Sequence, residues 1–162
     1  MAGMQIAIRK MHANDLDRVT EILARWNMAP LPSSAALPNA EVPAIPIETT
    51  FVALVDATIV GVGSYIVIDD EVGQTLVLAV DSEYHHAGIG ARLQTARLSE
   101  MKTLGILTVR TDADRPEAIA WYMKKFGCRI VGSKPKKHAF GLEGVDAWTV
   151  LELDLRAWTP NS

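Results

Sequence analysis

Residues 76–92, LVLAVDSEYHHAGIGAR, constrain the fold more than any other stretch of this chain. LVLAV is a short apolar run rich in strand-favouring residues, and it ends in an acidic turn. Two histidines and Gly88-Ile89-Gly90 follow, and the chain then takes up helical spacing. A strand that passes through a glycine turn into a helix calls for a mixed α/β architecture. The junction also makes a place for an anion. The first four N–H groups of a helix have no intrahelical partner, and the helix dipole adds partial positive charge there. Gly88 and Gly90 let a bulky anion approach the backbone, and residues 86–91 supply the amides. Such a cradle suits a phosphate or pyrophosphate, although the same pattern also occurs as a plain tight turn. Two familiar phosphate motifs are excluded. A dinucleotide-binding Gly-x-Gly-x-x-Gly needs a third glycine where this chain has Leu93, and no Gly-Lys-Ser/Thr follows to make a Walker A loop.

The rest of the chain supplies the frame for this junction. Gln5–Arg9 alternates polar and apolar residues and reads as a first strand. Asn14 is placed to cap the next helix, with Asp17 three residues on as a short-armed capping box. Leu16, Val19, Ile22, Leu23 and Trp26 recur at helical spacing, which predicts one buried face over Asp15–Trp26. Residues 28–47 hold five prolines, so no regular strand or long helix fits there. A loop of that length is uncommon in a compact domain and is either functional or a plain insertion. Thr50–Val55, Thr58–Ile68 and Gln74–Val80 are linked by short turns and predict three consecutive antiparallel strands. Residues 89–104 form a helix with Leu93, Ala96, Leu98 and Met101 on overlapping faces, stopped by Gly105. Ile106–Thr111 is a strand, and Pro116 opens a helix over 116–126 that Gly127 closes. Cys128–Ser133 and Ala147–Leu155 are the last strands, separated by a basic segment. The order β-α-loop-β-β-β-α-β-α-β-β predicts a mixed, mostly antiparallel α/β sheet with helices on both faces.

Length and composition fit a single domain over residues 1–162, with 49% apolar and 22% charged residues. A formal charge of −3 gives no general reason to bind nucleic acid or an anionic membrane. One cysteine allows no internal disulfide. No apolar run approaches the roughly 20 residues of a membrane span, and MAGMQIAIRK lacks a signal-peptide core. A cytoplasmic location is expected. Adjacent histidines seldom converge on one metal, and no carboxylate or cysteine pattern supports His85 and His86, so no metal is expected.

LAVDSEYHHAGIGARL resembles the acetyl-CoA signature of the GNAT superfamily of N-acetyltransferases. That signature is a strand ending in an acidic turn, then Gln/Arg-x-x-Gly-x-Gly/Ala opening a helix. His85 stands at its first position. A second segment, from Arg115 through Tyr122 to Gly127, is similar to the family helix Asn-x-x-Ala-x-x-x-Tyr that closes on Gly-Phe. Arg115 replaces the asparagine, Cys128 replaces the phenylalanine, and one extra residue separates Tyr122 from Gly127. The spacing from Ala118 selects Tyr122 as the family tyrosine; a C-terminal register would select Met123.

The resemblance implies acetyl-CoA as cosubstrate and direct transfer of its acetyl group to an amine. Leu78, Ala79 and Val80 would hold the pantetheine arm and acetyl carbonyl. His85, His86, Ala87, Gly88, Ile89, Gly90 and Ala91 would take the pyrophosphate; the two histidines either supplement it or are plain surface. Tyr122 is the implied general acid that meets the thiolate, and Cys128 is structural. Glu48, Glu83 or a water chain is the candidate base. Lys134, Lys136, Lys137 and His138 either meet an outlying phosphate or form a solvated basic loop. The amine would lie over Trp26, Asn27, Met28 and the proline-rich loop. A small amine, an amino acid or a peptide N-terminus is the expected acceptor, with the protein a monomer or homodimer. The alternative is a CoA-binding sensor with degenerate catalysis.

Overall fold

Strand β1 (Ile6–Lys10) leads through a 3-10 turn at Ala13–Asp15 into helix α1 (Leu16–Arg25). After a 3-10 turn at Ile47–Thr49 come strands β2 (Thr50–Val55), β3 (Thr58–Val67) and β4 (Val72–Val80). Helix α2 (Ile89–Thr103), strand β5 (Thr108–Ala113) and helix α3 (Pro116–Phe126) follow, and β6 (Arg129–Pro135) and β7 (Ala147–Asp154) complete the sheet. These elements come from a computed structural model that describes residues 5–29, 45–85, 87–137 and 140–160. The sheet has seven strands in the order β1-β2-β3-β4-β5-β7-β6. Only β4 and β5 run parallel; the other neighbours are antiparallel. The predicted element order and mixed sheet therefore form, with residues 30–44 of the proline-rich loop outside the described residues.

The helices cover opposite faces of the central strands. Val19, Ile22 and Leu23 of α1 are fully buried in a cluster with Val52, Val62 and Val77. On the other face, Leu93 packs with Ala53 and Val60, and Leu98 and Met101 pack with Tyr65 and with Tyr122 and Phe126 of α3. Gly61 and Gly63 make the α2 contact possible. A Cβ at Gly61 would lie 3.0 Å from Leu93 Cδ1 and 3.2 Å from Ile89 Cγ2, closer than packed side chains normally come.

Local differences from expectation have physical causes. Asn14 is exposed inside the 3-10 turn, and α1 starts one residue later than Asn14 capping would place it. Asp15 closes the capping box of the 3-10 turn and does not cap α1 with its side chain: its carboxylate accepts from the His12 N–H at 2.7 Å and pairs with Arg9 at 2.8 Å. Leu16, expected on the buried face, is 43% exposed because it sits at the first turn, before the helix meets the sheet. Strand β5 begins at Thr108 instead of Ile106. Ile106 is a buried side chain in the turn, and its N–H bonds back to Met101 O at the end of α2.

The feature that shapes the site is the short pairing of β4 with β5. It covers only Val72↔Thr108, Gly73↔Val109 and Gln74↔Arg110, although β4 runs on to Val80. The strands part where β4 bulges. Thr75 and Leu78 oppose Tyr65 and Gly63, so Leu76 and Val77 together face the single residue Ser64. An extra residue bends a strand and breaks its ladder locally. Beyond the bulge, β4 follows β3 and leaves β5 behind.

Candidate active site

The gap between β4 and β5 is a cavity of about 850 Å³. Its walls come from Gln74–Val80 on one side and Thr111–Arg115 on the other, with Trp121 and Tyr122 of α3 at its flank. Peptide groups on one wall are open. Asp81 N–H donates to Val60 O at 2.7 Å, so Asp81 turns its peptide toward β3. By the two-residue period of a strand, Ala79 also faces β3 while Leu78 and Val80 face the gap. Of the three strand residues nominated for the cofactor, two thus present backbone groups to the cavity. Ala79 contributes its position in the strand and a buried side chain. The Val80 carbonyl is already engaged, accepting from Trp26 Nε1 at 3.0 Å.

One end of the gap opens onto the start of α2. Gly88 is the N-cap with φ +79°, a left-handed conformation that glycine adopts without a Cβ penalty. No side chain caps this helix, and its first turn contains no acidic residue. Among the described residues, no acceptor a turn behind takes the N–H groups of Ile89, Gly90 and Ala91, and the first helical bond in this region is Arg92 N–H to Gly88 O. A Cβ at Gly88 would meet nothing within 4 Å among the described residues beyond its chain neighbours, so no described side chain crowds the N-cap. The residues present therefore fit a phosphate. At Gly90 a Cβ would make ordinary contact, 3.9 Å from Trp121 and Val80, so its close-approach role is not forced by packing. His85 and Ala87 lie exposed on the turn, with the His85 ring 6.3 Å from that of Trp26. His86 lies outside the described residues.

The turn before the cradle is anchored to α1. Asp81 is buried, and its Oδ2 accepts from Arg25 at 2.7 Å and from Arg18 at 3.2 Å, while Oδ1 takes the Glu83 N–H. Burial raises the proton affinity of this carboxyl, but the Glu83 amide, Arg25 and Arg18 outweigh it and hold it below the ordinary aspartate value.

At the flank of the gap, Tyr122 is 6% exposed and packs edge-to-face on Trp121. Met123, the alternative in the other register, is 39% exposed and does not line the cavity. Burial pushes the Tyr122 phenol upward, and the Arg97 guanidinium partly offsets this. The net direction is up, so the phenol is protonated at neutral pH. Cys128 is buried beside it, and burial pushes its thiol up to about 11, well away from the reactive thiolate range.

The candidate bases lie elsewhere. Glu48 is exposed in the turn before β2, where its carbonyl accepts from Lys10 Nζ. Glu83 is exposed on the turn after β4, and neither carboxylate lines the gap. Trp26 and Met28 do line it, and the Arg115 guanidinium lies 5.2 Å from the Trp26 ring centre, closing the mouth from the α3 side. Asn27 turns the chain with φ 56° and exchanges a backbone bond with the β6–β7 loop, accepting from Gly141 N–H at 2.9 Å. That loop is itself pinned. Lys136 Nζ and Asp114 form a buried pair at 2.8 Å, and Lys136 also lies over the Trp148 ring. Lys134 pairs with Asp112 at 2.6 Å. Lys134 is thus held by a carboxylate of β5 and Lys136 by one just past its end; Lys137 is exposed, and His138 lies outside the described residues. Among the described residues, no group of three or more His, Cys, Asp or Glu is placed to hold a metal ion, and no helix is long and apolar enough to cross a membrane.

Reading the sequence missed Arg97, Asp81, Arg18 and Arg25 as site-building residues. For Arg97 a faint signal existed: Gln94 and Arg97 interrupt the apolar face of α2 three residues apart.

A sheet that opens beside an uncapped helix start defines a class of fold, one that takes an extended, phosphate-bearing molecule between neighbouring strands. The acetyltransferase (GNAT) family profile matches residues 16–128, and the chain belongs to that family. No curated protein matches the chain by sequence. Among solved structures, Ard1 from Thermoplasma volcanium is similar with a TM-score of 0.73 and 24% identity, over 92% of this chain and 97% of that one. The ribosomal-protein-S18-alanine N-acetyltransferase from Escherichia coli also superposes with a TM-score of 0.73, at 18% identity over 98% and 99% of the two chains. Arabidopsis thaliana Naa50, in complex with the bisubstrate analogue CoA-Ac-MVNAL, gives 0.71 at 15% identity over 92% and 98%.

Proposed function

We propose that this protein is an N-acetyltransferase that moves the acetyl group of acetyl-CoA directly to a primary amine of a small molecule, amino acid or peptide N-terminus. The observation that carries this reading is the open gap between β4 and β5 leading straight to an uncapped helix start. Acetyl-CoA, when bound, supplies the thioester. The amides of residues 88–91 hold the pyrophosphate. The Leu78 and Val80 peptide groups align the pantetheine arm and acetyl carbonyl along β4, as an added strand would be aligned. Trp26, Met28 and the loop that follows form the acceptor wall. Tyr122 gives its proton to the departing sulfur. Ordered water takes the proton released by the amine, since Glu48 and Glu83 stand off the cavity. The peptide-bearing ligand of the Arabidopsis structure supports an N-terminal amine as one acceptor class.

The test is free-CoA release from acetyl-CoA across a panel of amino acids, polyamines, aminoglycosides and peptides. One class should accelerate release well above hydrolysis. Tight CoA binding with no acceleration by any amine would make the protein a CoA sensor instead.

A further inference from the structure

The β4–β5 ladder ends at Gln74↔Arg110, and the next residues in parallel register are Thr75 and Thr111. They meet through their side chains instead of their backbones. Their hydroxyl oxygens lie 2.7 Å apart, and both residues are 4% exposed. Thr75 Oγ1 also donates to Arg110 O at 3.4 Å, and a hydroxyl has one proton, so Thr111 donates the shorter bond. Cross-strand threonine pairs of this kind stabilise a sheet, and here the pair adds one side-chain rung beyond the ladder. Both threonines line the cavity, at the vertex from which the two strands diverge. Just past the rung, Arg97 Nη1 donates to Ser64 O and to Val77 O, each at 2.9 Å, and holds the bend that carries β4 away. Behind the rung the core is filled. A Cβ at Gly73 would lie 2.5 Å from Met101 Sδ and 3.5 Å from Ile106 Cγ2, and Tyr65, opposite Thr75 on β3, is 1% exposed. The gap is therefore open toward the cradle and closed at this hydroxyl pair.

We propose that the Thr75–Thr111 pair is the floor of the acyl site and limits the transferred group to acetyl or propionyl. This rests on the reading that acetyl-CoA lies in the gap. With the phosphates on the start of α2, at the C-terminal end of β4, the acyl end of the same molecule points back along β4 toward the rung. The acyl carbonyl then lies level with Leu78. Thr75 and Leu78 oppose Tyr65 and Gly63 on β3, so the bulge leaves them two residue steps apart. Two steps along a strand are about 6.6 Å, and contact between carbon atoms takes about 3.5–4.0 Å of it. About 3 Å remains beyond the carbonyl carbon. That holds a methyl or an ethyl group and stops a propyl chain against the threonines. The hydroxyls add a second barrier: an apolar chain wedged between them would break the 2.7 Å bond and leave buried polar atoms without partners.

Calorimetry with acetyl-CoA and butyryl-CoA tests this without an acceptor, on the wild type and on Thr75→Ala and Thr111→Ala. Wild type should bind butyryl-CoA at least about tenfold more weakly than acetyl-CoA. Each alanine variant removes a hydroxyl and a methyl group from the floor and should reduce that preference at least about threefold. Thr75→Ser, which keeps the hydroxyl and deletes only the methyl, should shift the preference in the same direction and carries the comparison if the alanine variants do not fold. Equal wild-type affinities for the two esters would overturn the proposal. So would parallel losses of both affinities with the preference unmoved, which would make the pair a brace for the strand fork. The expected preference in a protein that transfers to no amine would sink the transferase reading and leave the floor in place. Binding of neither ester would overturn both.

Discussion

Replacing Gly88 by alanine and by glutamate separates two contributions that a single variant would confound. Gly88 sits at φ +79°, so any L-residue there adopts a left-handed backbone. That strain costs about 1–2 kcal/mol and is common to both variants. Packing adds nothing, because a Cβ at this position meets no protein atom within 4 Å. For a chain of 162 residues the strain corresponds to a Tm lower by about 2–8 °C. Alanine then adds only a methyl group before the cradle, and CoA affinity should fall less than about threefold. Glutamate places a carboxylate where the amides of Ile89, Gly90 and Ala91 receive an anion. Its affinity should fall at least tenfold, about 1.4 kcal/mol. Calorimetry with CoA measures affinity, and thermal melts without ligand measure strain. Equal Tm losses with equal CoA affinities would show that the phosphates do not sit on this helix start.

Tyr122→Phe keeps the ring on Trp121 and deletes only the hydroxyl; acetyl-CoA affinity should hold while kcat falls by roughly 10²-fold, read where chemistry limits turnover. Shortening the loop between Leu31 and Pro43 should change acceptor KM or choice and leave acetyl-CoA affinity nearly intact; parallel losses in both would make the loop a brace. Asp81→Ala leaves Arg18 and Arg25 without their shared carboxylate and should cost about 1–3 kcal/mol of stability in urea melts. The same carboxyl has a folded-state pKa below its unfolded value near 3.9, so its contribution is present above that pH and is lost as acid protonates the folded form. Wild type should therefore lose more stability than Asp81→Ala when melts are compared at pH 6 and below about pH 4; parallel losses would remove the pair from the acid response.

Punctuation made part of the fold legible. Helix α3 was readable to the residue because Pro116 opens it and Gly127, at φ +79°, closes it. Strand β5 was read two residues early because Ile106 and Leu107 are as apolar as the strand they precede. The cradle was readable because it is local: one strand, one turn and one helix start within 17 residues. The gap beside it was not, since it depends on a bulge that shows only in the register of β4 against β3. Arg97 escaped for the same reason, as its partners are carbonyls at that bulge and no acidic residue announces them. Glu48 looked close to the chemistry as the residue leading into the strand block, yet the cavity opens two strands away, between β4 and β5.

Parting β4 from β5 after three paired positions makes one strand an interior strand and an edge strand at once. Ala79 belongs to the ladder with β3, whereas Leu78 and Val80 turn their amides to the gap. Hydrogen exchange along this strand should then alternate by residue. Slow exchange at Ala79 would be flanked by fast exchange at two neighbours, although all three are central in the sheet. Any ligand that runs along the gap should slow the two fast amides and leave Ala79 unchanged. The exchange pattern of three consecutive residues would locate an occupant of the gap even when that occupant does not react.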